Sequence, residues 1–448
     1  MRRGRGLEII DRASQDDLLQ IRNDLMTVYR DITRDGKELF PLRYARSTPR
    51  PRFRRADAVP VLILPDGPER ASVLPYDVLR RSLAGQGVDV LMMEHRGVGL
   101  SRLDSEGQDL PAEAMRLEYV IEDVLAVLDH AEVDQVAIYG VGYGAYLAQI
   151  IAATYPERVR SLVLDSPLTS SRDELVSQQA LRAAYWEGTV PGADTVAQVL
   201  RRLVENEEVD GHRLGPVLLA VHEHGGTEAV RDLVDLLAMG RGQLAVRSVR
   251  QVLTQGWLQS TPYVIEQDLV ARIAHTELGS GHYADGLPLD ALQLAAERAR
   301  AVPPFTREPF DLHALAPQIV APTLVIAGER DRILPPQIAR DLVERVPQAR
   351  LLEVPGTGHA ILDAHSQIAQ IAARWAAAGV PDLLADESER IATLPRAPLA
   401  QAITTGVRIA LMAERWSPWR LRMENTWSTH RHHAPDPTSR RSRHPRVP

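Results

Sequence analysis

Apolar residues recur along this chain in two rhythms. Short runs of consecutive apolar residues, rich in β-branched types and stopped by Gly, Pro or Asp, mark buried strands. They occur in VPVLILPDGPE (59–69), VDVLMMEHRGVG (88–99), QVAIYG (135–140), VRSLVLDSP (159–167), PTLVIAGERD (322–331) and ARLLEVPGTGH (349–359). Apolar residues spaced three and four apart mark helices between them, at YDVLRRSLAGQG (76–87), LEYVIEDVLAVLDHAEV (117–133) and QIARDLVERV (337–346). Strands alternating with helices predict an α/β fold, a mostly parallel sheet with helices on both faces. From about Leu168 to Ile319 the helical rhythm runs alone, so the sheet is expected to be interrupted by a helical insertion.

The ends read differently. SQDDLLQIRNDLMTVYRDI (14–32) has helical spacing and acidic residues in its first turn, which predicts an amphipathic helix. An Arg/Pro-rich connector, STPRPRFRRAD (47–57), leads into the first strand. LAQAITTGVRIALMAERW (399–416) reads as a last helix, packed by Trp416 and Trp419, and the polar, basic tail from Ser428 as disordered. The expected division is 1–58, N-terminal helix and connector; 59–167, first part of the core; 168–319, helical insertion; 320–378, second part of the core; and 379–448, C-terminal helix and tail.

Composition narrows the function classes. A 44% apolar, 25% charged chain of 448 residues with net charge −7 is an ordinary globular protein, and nothing in it points to nucleic acid. It has no cysteine, which excludes a thiol nucleophile and thiolate metal sites. No window approaches a membrane span and the N-terminus lacks the apolar core of a signal peptide, so a cytoplasmic protein is expected. His222 and His224 lack a convincing third ligand and read as surface residues; no metal and no cofactor is expected.

The candidate chemistry lies in YGVGYGAYLAQ (139–149), where a strand meets a helix. Gly140 and Gly144 frame position 142 as small residues frame the serine of a nucleophile elbow, yet residue 142 is itself glycine. Downstream, AGERDRILPP places Asp331 after one strand and VPGTGHAILD places His359 after the next. An Asp that holds a His in one tautomer is what a general base requires.

Together these motifs resemble the α/β-hydrolase superfamily, and within it the proline iminopeptidase and tripeptidyl aminopeptidase serine hydrolases. The resemblance spans about Val59–Ser166 and Pro322–Trp375, with the insertion placed where those proteins carry a helical cap. It implies Asp331 and His359 as triad members, Gly142 at the vacant nucleophile position, and an oxyanion hole from the N–H groups of Gly67 and Tyr143. In relatives the loop Pro65-Asp66-Gly67-Pro68-Glu69 reads H-G-G-P-G or H-G-F-P-E, so Pro65 replaces a histidine and Asp66 sets a negative charge near the oxyanion. EHRGVGLS (94–101) resembles a family loop and reads as a tight turn with a buried arginine.

Three functional readings stay open at this point. One is hydrolysis of amides or esters by descent, weak or lost, with His359 activating a water in the space the missing side chain vacates. Ser166, Tyr143 or Tyr146 would be substitute nucleophiles. The second is a non-catalytic binder of a small-molecule or peptide-like ligand under the cap, as the similar elbow of the N-myc downstream-regulated proteins suggests. Tyr185, Trp186, Trp257, Tyr263 and Tyr283 are candidates to line that pocket. The third is dinucleotide binding, since Gly140, Gly142 and Ala145 satisfy G-x-G-x-x-A and Asp165 ends the next strand.

Overall fold

The computed structural model describes residues 24–53, 57–258 and 263–394, with the backbone alone at 252–258. The expected helix at 399–416, its tryptophans and the basic tail lie outside the described residues. Eight strands form one sheet: β1 (Leu25–Asp31), β2 (Leu39–Ser47), β3 (Val61–Leu64), β4 (Val90–Met93), β5 (Val136–Val141), β6 (Val159–Asp165), β7 (Thr323–Gly328) and β8 (Ala349–Val354). Their order is β1-β2-β4-β3-β5-β6-β7-β8. All pairs are parallel except β1 with β2 and β2 with β4.

The pleat sorts each strand between two cores. Leu62, Leu91, Ile138 and Val325 pack with helices α2 (Leu117–His130) and α3 (Tyr143–Thr154) on one face. Their neighbours Ile63, Met92, Tyr139 and Ile326 pack on the other face with α1 (Asp77–Gly85) and, near the C-terminal end, Ser366–Ala377. Burial on both faces explains why these strands read as continuous apolar runs.

The segment 14–32 departs from expectation. Leu25–Asp31 is an edge strand, not a helix, and pairs along its whole length with β2, from Leu25 opposite Ala45 to Asp31 opposite Leu39. Thr27, Val28 and Tyr29 suit a pleated surface, and this long-range pairing overrides the helical spacing. Residues 14–23 lie outside the described set.

Between β6 and β7 the insertion builds its own apolar cluster, centred on Leu181, Tyr185, Leu200, Leu218, Val230 and Leu237. Its helices include α4 (Asp173–Arg182), α5 (Asp194–Glu205), α6 (Gly211–Ala238) and α7 (Gln243–Leu258). α6 breaks at Gly226, whose φ of 70° and ψ of −169° leave the helical region and kink the rod. No described helix is long and apolar enough to cross a membrane.

The loop after β4 is structural. Arg96, 1% exposed, makes a two-pronged bond to Asp123 (Nε–Oδ2 2.6 Å, Nη2–Oδ1 2.8 Å) and donates to the Ala114 carbonyl. Burial pushes the neighbouring Glu94 up to about 8, against the Ser72 and Val73 N–H groups that it accepts. Without Arg96 the fully buried Asp123 loses its two-pronged partner and is left to Arg30, whose Nε lies 3.0 Å from Oδ1. Arg96→Met should therefore cost about 3–5 kcal/mol in urea unfolding; a loss below about 1 kcal/mol would show that α2 and this loop are held by other contacts.

Candidate functional site

The elbow, the altered oxyanion loop and the Asp–His pair all lie where the chain leaves the carboxyl end of a parallel strand. Asp66 follows β3, Gly142 follows β5, Asp331 follows β7 and His359 follows β8. The elbow is intact as a backbone: Gly142 has φ 49° and ψ −109°, the strained turn from strand to helix that displays a nucleophile. Its neighbours are small by necessity. A Cβ on Gly140 would stand 2.7 Å from the Ala145 nitrogen, and one on Gly144 would collide with the Leu64 carbonyl.

Asp331 and His359 come together. Asp331 is fully buried; its Oδ1 accepts the N–H groups of Ile333 and Leu334 (2.9 and 2.8 Å), and its Oδ2 takes His359 Nδ1–H at 2.9 Å. The imidazole is thereby fixed with Nε2 turned to the elbow. What it meets there is Asp66: Nε2 lies 3.3 Å from Oδ2, and Oδ1 accepts the Tyr143 N–H at 3.1 Å. A Cβ built on Gly142 would collide with that Oδ1 and sit 2.8 Å from Asp66 Cγ.

The carboxylate of Asp66 thus fills the place of the missing serine side chain. This corrects two expectations. The vacated space is not open to a water, and the Tyr143 N–H, expected to serve an oxyanion, is engaged by a carboxylate. Gly67 lines the cavity described below.

The charges follow from the geometry. Burial alone would lower His359, but the Asp331 charge and hydrogen bond, then those of Asp66, raise it well above its ordinary 6.5. Burial alone would raise Asp66, but its hydrogen bond to His359, the charges of His359 and Arg70, and the Tyr143 N–H bring it down to about 2. At neutral pH His359 is therefore an imidazolium against the Asp66 carboxylate.

None of the substitute nucleophiles faces His359. Ser166 Oγ accepts the Ala360 N–H (3.1 Å) and lies 3.4 Å from Asp165. Tyr146 donates to the Phe310 carbonyl (3.4 Å). Tyr143 donates to His95 Nε2 (3.0 Å); burial brings His95 down to about 4, and its Nδ1–H serves the Arg96 carbonyl.

The dinucleotide reading fails on the same ground. The Asp66 carboxylate sits against Gly142, where a pyrophosphate would be repelled. Asp165 is fully buried, its oxygens occupied by the N–H groups of Ile361 and Leu362 (3.0 and 2.8 Å) and the Tyr139 hydroxyl (3.0 Å). It fixes the chain just after His359 rather than meeting a ribose.

A cavity of about 1440 Å³ opens beside this row, above the ~300–1,000 Å³ usual for small-molecule sites. Gly67, Tyr143 and His359 form one end, and Leu219, Val270 and Leu292 of the insertion form much of the opposite wall. Of the aromatics expected there, Tyr185 is buried in the insertion's own cluster with Trp186 against it, while Tyr263 and Tyr283 lie off the wall. The side chain of Trp257 lies outside the described residues. Among the described residues, Tyr76 and Tyr143 are the tyrosines that line it.

The insertion also supplies a residue that the sequence did not flag. Glu223, in α6, accepts the N–H groups of Arg332 (2.6 Å) and His359 (2.8 Å), joining the Asp331 and His359 loops from outside the core. Burial, with the Asp331 charge beside it, pushes Glu223 up to about 8. Its neighbour His222 is 3% exposed rather than a surface residue; burial holds it near 4, and Nδ1 meets the Tyr185 hydroxyl at 2.5 Å. Among the described residues no group of three His, Asp or Glu side chains is placed to hold a metal.

Comparison with known proteins agrees with this architecture. Rhodomycin D methylesterase DauP from Streptomyces sp. (strain C5) is 25% identical over 332 residues, 70% of this chain and 89% of that protein. A 97-residue stretch, 22% of this chain, is 35% identical to polyketide synthase ThaQ of Burkholderia thailandensis and spans only 4% of its length. Among solved structures, proline iminopeptidase from Mycobacterium smegmatis aligns at 18% identity with a TM-score of 0.44, over 87% of this chain and 99% of that one. A hydrolase from Pseudomonas aeruginosa aligns at 18% and 0.43, over 79% and 98%. The family model of the α/β-hydrolase fold matches residues 59–209 and 248–366, more than half of the chain, with the elbow, Asp331 and His359 all inside the matched segments, and the protein belongs to that family.

Proposed function

We propose that this chain descends from ester- or amide-cleaving serine hydrolases of the proline iminopeptidase kind, and that it has given up acyl transfer through position 142. Its cavity receives a largely apolar small-molecule or peptide-like ligand, with the helical insertion serving as cap. One observation carries this reading: the Asp66 carboxylate occupies the place of the nucleophile, against both His359 Nε2 and the Tyr143 N–H.

The consequences are chemical. Position 142 offers no hydroxyl, and loss of a triad serine costs on the order of 10⁶-fold in turnover. His359, held as an imidazolium between two carboxylates, has no free lone pair on Nε2 with which to act as a base. The amide that would steady an oxyanion is engaged, and such donors contribute roughly 10²–10³ each. Towards serine chemistry the protein is a pseudoenzyme. A large cavity lined by the cap supports ligand binding as what persists.

Two outcomes test this. Gly142→Ser alone should remain unlabelled by a fluorophosphonate, because the new side chain meets Asp66. Gly142→Ser with Asp66→Gly, which frees the space and the Tyr143 N–H, should label and cleave aryl esters. Labelling of the single variant at the rate of the double would sink the reading.

The second outcome is a titration. A raised His359 contributes stability that is complete below its unfolded value near 6.5 and is lost as pH rises through the higher folded value. A depressed Asp66 contributes stability present above 3.8 and lost as pH falls toward about 2. The ion pair should therefore persist from about pH 4 through neutrality. Imidazole ¹⁵N spectra should show His359 doubly protonated at pH 7, and Asp66→Asn should move its midpoint down by at least about one unit. An unchanged midpoint would mean that Asp331 alone sets the charge.

A further inference from the structure

His275 is a buried imidazole of the helical insertion with one ring nitrogen unused. It stands in the turn Arg272–Glu277, which winds with five-residue spacing: the Leu278 N–H reaches back to the Ile273 carbonyl at 3.0 Å. Turns of this π type are frequent at functional sites. We propose that the insertion's side of the cavity takes an uncharged hydroxyl of an apolar ligand, with His275 Nε2 as its acceptor. This rests on the reading above that the cavity receives such a ligand, and it adds which polar group the ligand carries.

The tautomer follows from one contact. His275 Nδ1 lies 2.8 Å from the Ser280 carbonyl, which can only accept, so the hydrogen is on Nδ1 and Nε2 carries a lone pair. Burial, and the Arg298 charge, lower the ring from its ordinary 6.5 against the pull of that carbonyl, so Nε2 stays bare at pH 7. Among the described residues no protein group donates to it. The residue is 8% exposed and forms part of the cavity wall, so the lone pair opens toward the cavity. A buried acceptor without a partner is costly, and a donor on the ligand removes that cost.

Ser280 links this acceptor to a second polar group. Its hydroxyl donates to Glu174, in the first turn of α4, whose two oxygens also accept the Gly281 N–H at 2.9 and 3.0 Å. Burial nonetheless pushes Glu174 up to about 7. Glu174, His275 and Ser280 all line the cavity, and Ala274, Leu278 and Leu294 line it with them. Two polar side chains whose charged forms burial disfavours are thus set in an apolar wall.

The chemistry selects the group. A carboxylate has no hydrogen for Nε2 and would set its charge against that lone pair. An ammonium has hydrogens, but would be buried within reach of the Arg298 charge that already acts on the imidazole. Arg298 is lowered by burial and raised by the Glu69 charge, so the cation on this wall already has an anion acting on it. An ether or a hydrocarbon leaves Nε2 as it is. A hydroxyl gives Nε2 its hydrogen, brings no charge, and leaves the rest of the ligand to the apolar wall.

The test titrates the full chain at pH 7 with 1-decanol and with its isomer 1-methoxynonane, which keeps the size and the oxygen but has no hydrogen to give. Calorimetry should show the alcohol bound at least about fivefold more tightly, and His275→Phe should abolish that preference. In the unsubstituted protein the His275 Nε2 resonance should shift in ¹⁵N spectra with 1-decanol and stay in place with the ether. A merely structural role for His275 would not produce that difference. If His275→Phe loses cooperative thermal unfolding, the ¹⁵N shift decides alone. Equal binding of the two isomers, an unmoved Nε2 resonance, or tighter binding of decanoate or decylamine than of 1-decanol overturns the proposal. Binding of neither isomer overturns the ligand reading above as well, whereas equal binding leaves that reading standing, so the two fail separately.

Discussion

The functional end of this molecule depends on one contact, the Asp66 carboxylate between His359 Nε2 and the Tyr143 N–H. With that anion in place, residue 142 has to lack a side chain, because any Cβ there would overlap it. The same anion, with Asp331 on the other nitrogen, holds the imidazole in its charged form. Three features that look independent in the sequence, a missing serine, an altered oxyanion loop and a retained histidine, are one electrostatic arrangement in space.

Around it the fold supplies rigidity from two directions. From beneath, Asp165 at the end of β6 takes the N–H groups of Ile361 and Leu362, so the chain leaves His359 along a fixed path. From above, Glu223 of the insertion takes the N–H groups of Arg332 and His359. A carboxyl this deeply placed beside Asp331 favours its neutral form, which limits the negative charge crowding the row. The helical insertion is thus tied to the Asp331 and His359 loops by hydrogen bonds as well as by walling the cavity.

Much of the fold was legible because the parallel strands are local signals: apolar runs ended by Gly, Pro and Asp, with helices between. Leu25–Asp31 was misread because its state is decided by pairing with β2, which spacing within the segment does not encode. The site was half legible. Asp331 and His359 sit in loop motifs whose order implies proximity, and their contact follows. Asp66 read as damage to an oxyanion loop, because its partner lies 293 residues away and only the folded chain sets it in the nucleophile's place. Glu223 was hidden between two histidines that drew attention to metal instead, and its carbonyl-like role toward backbone N–H groups leaves no sequence pattern.

The central claim is the position and charge of one carboxylate. A neutron structure of the unliganded protein at neutral pH tests it most directly, because it places the protons on His359 and Asp66. The account predicts deuterium on both Nδ1 and Nε2 of His359, and a bare Asp66 carboxylate between Nε2 and the Tyr143 amide. A singly protonated ring, with Asp66 turned away and an ordered water beside Gly142, would contradict it.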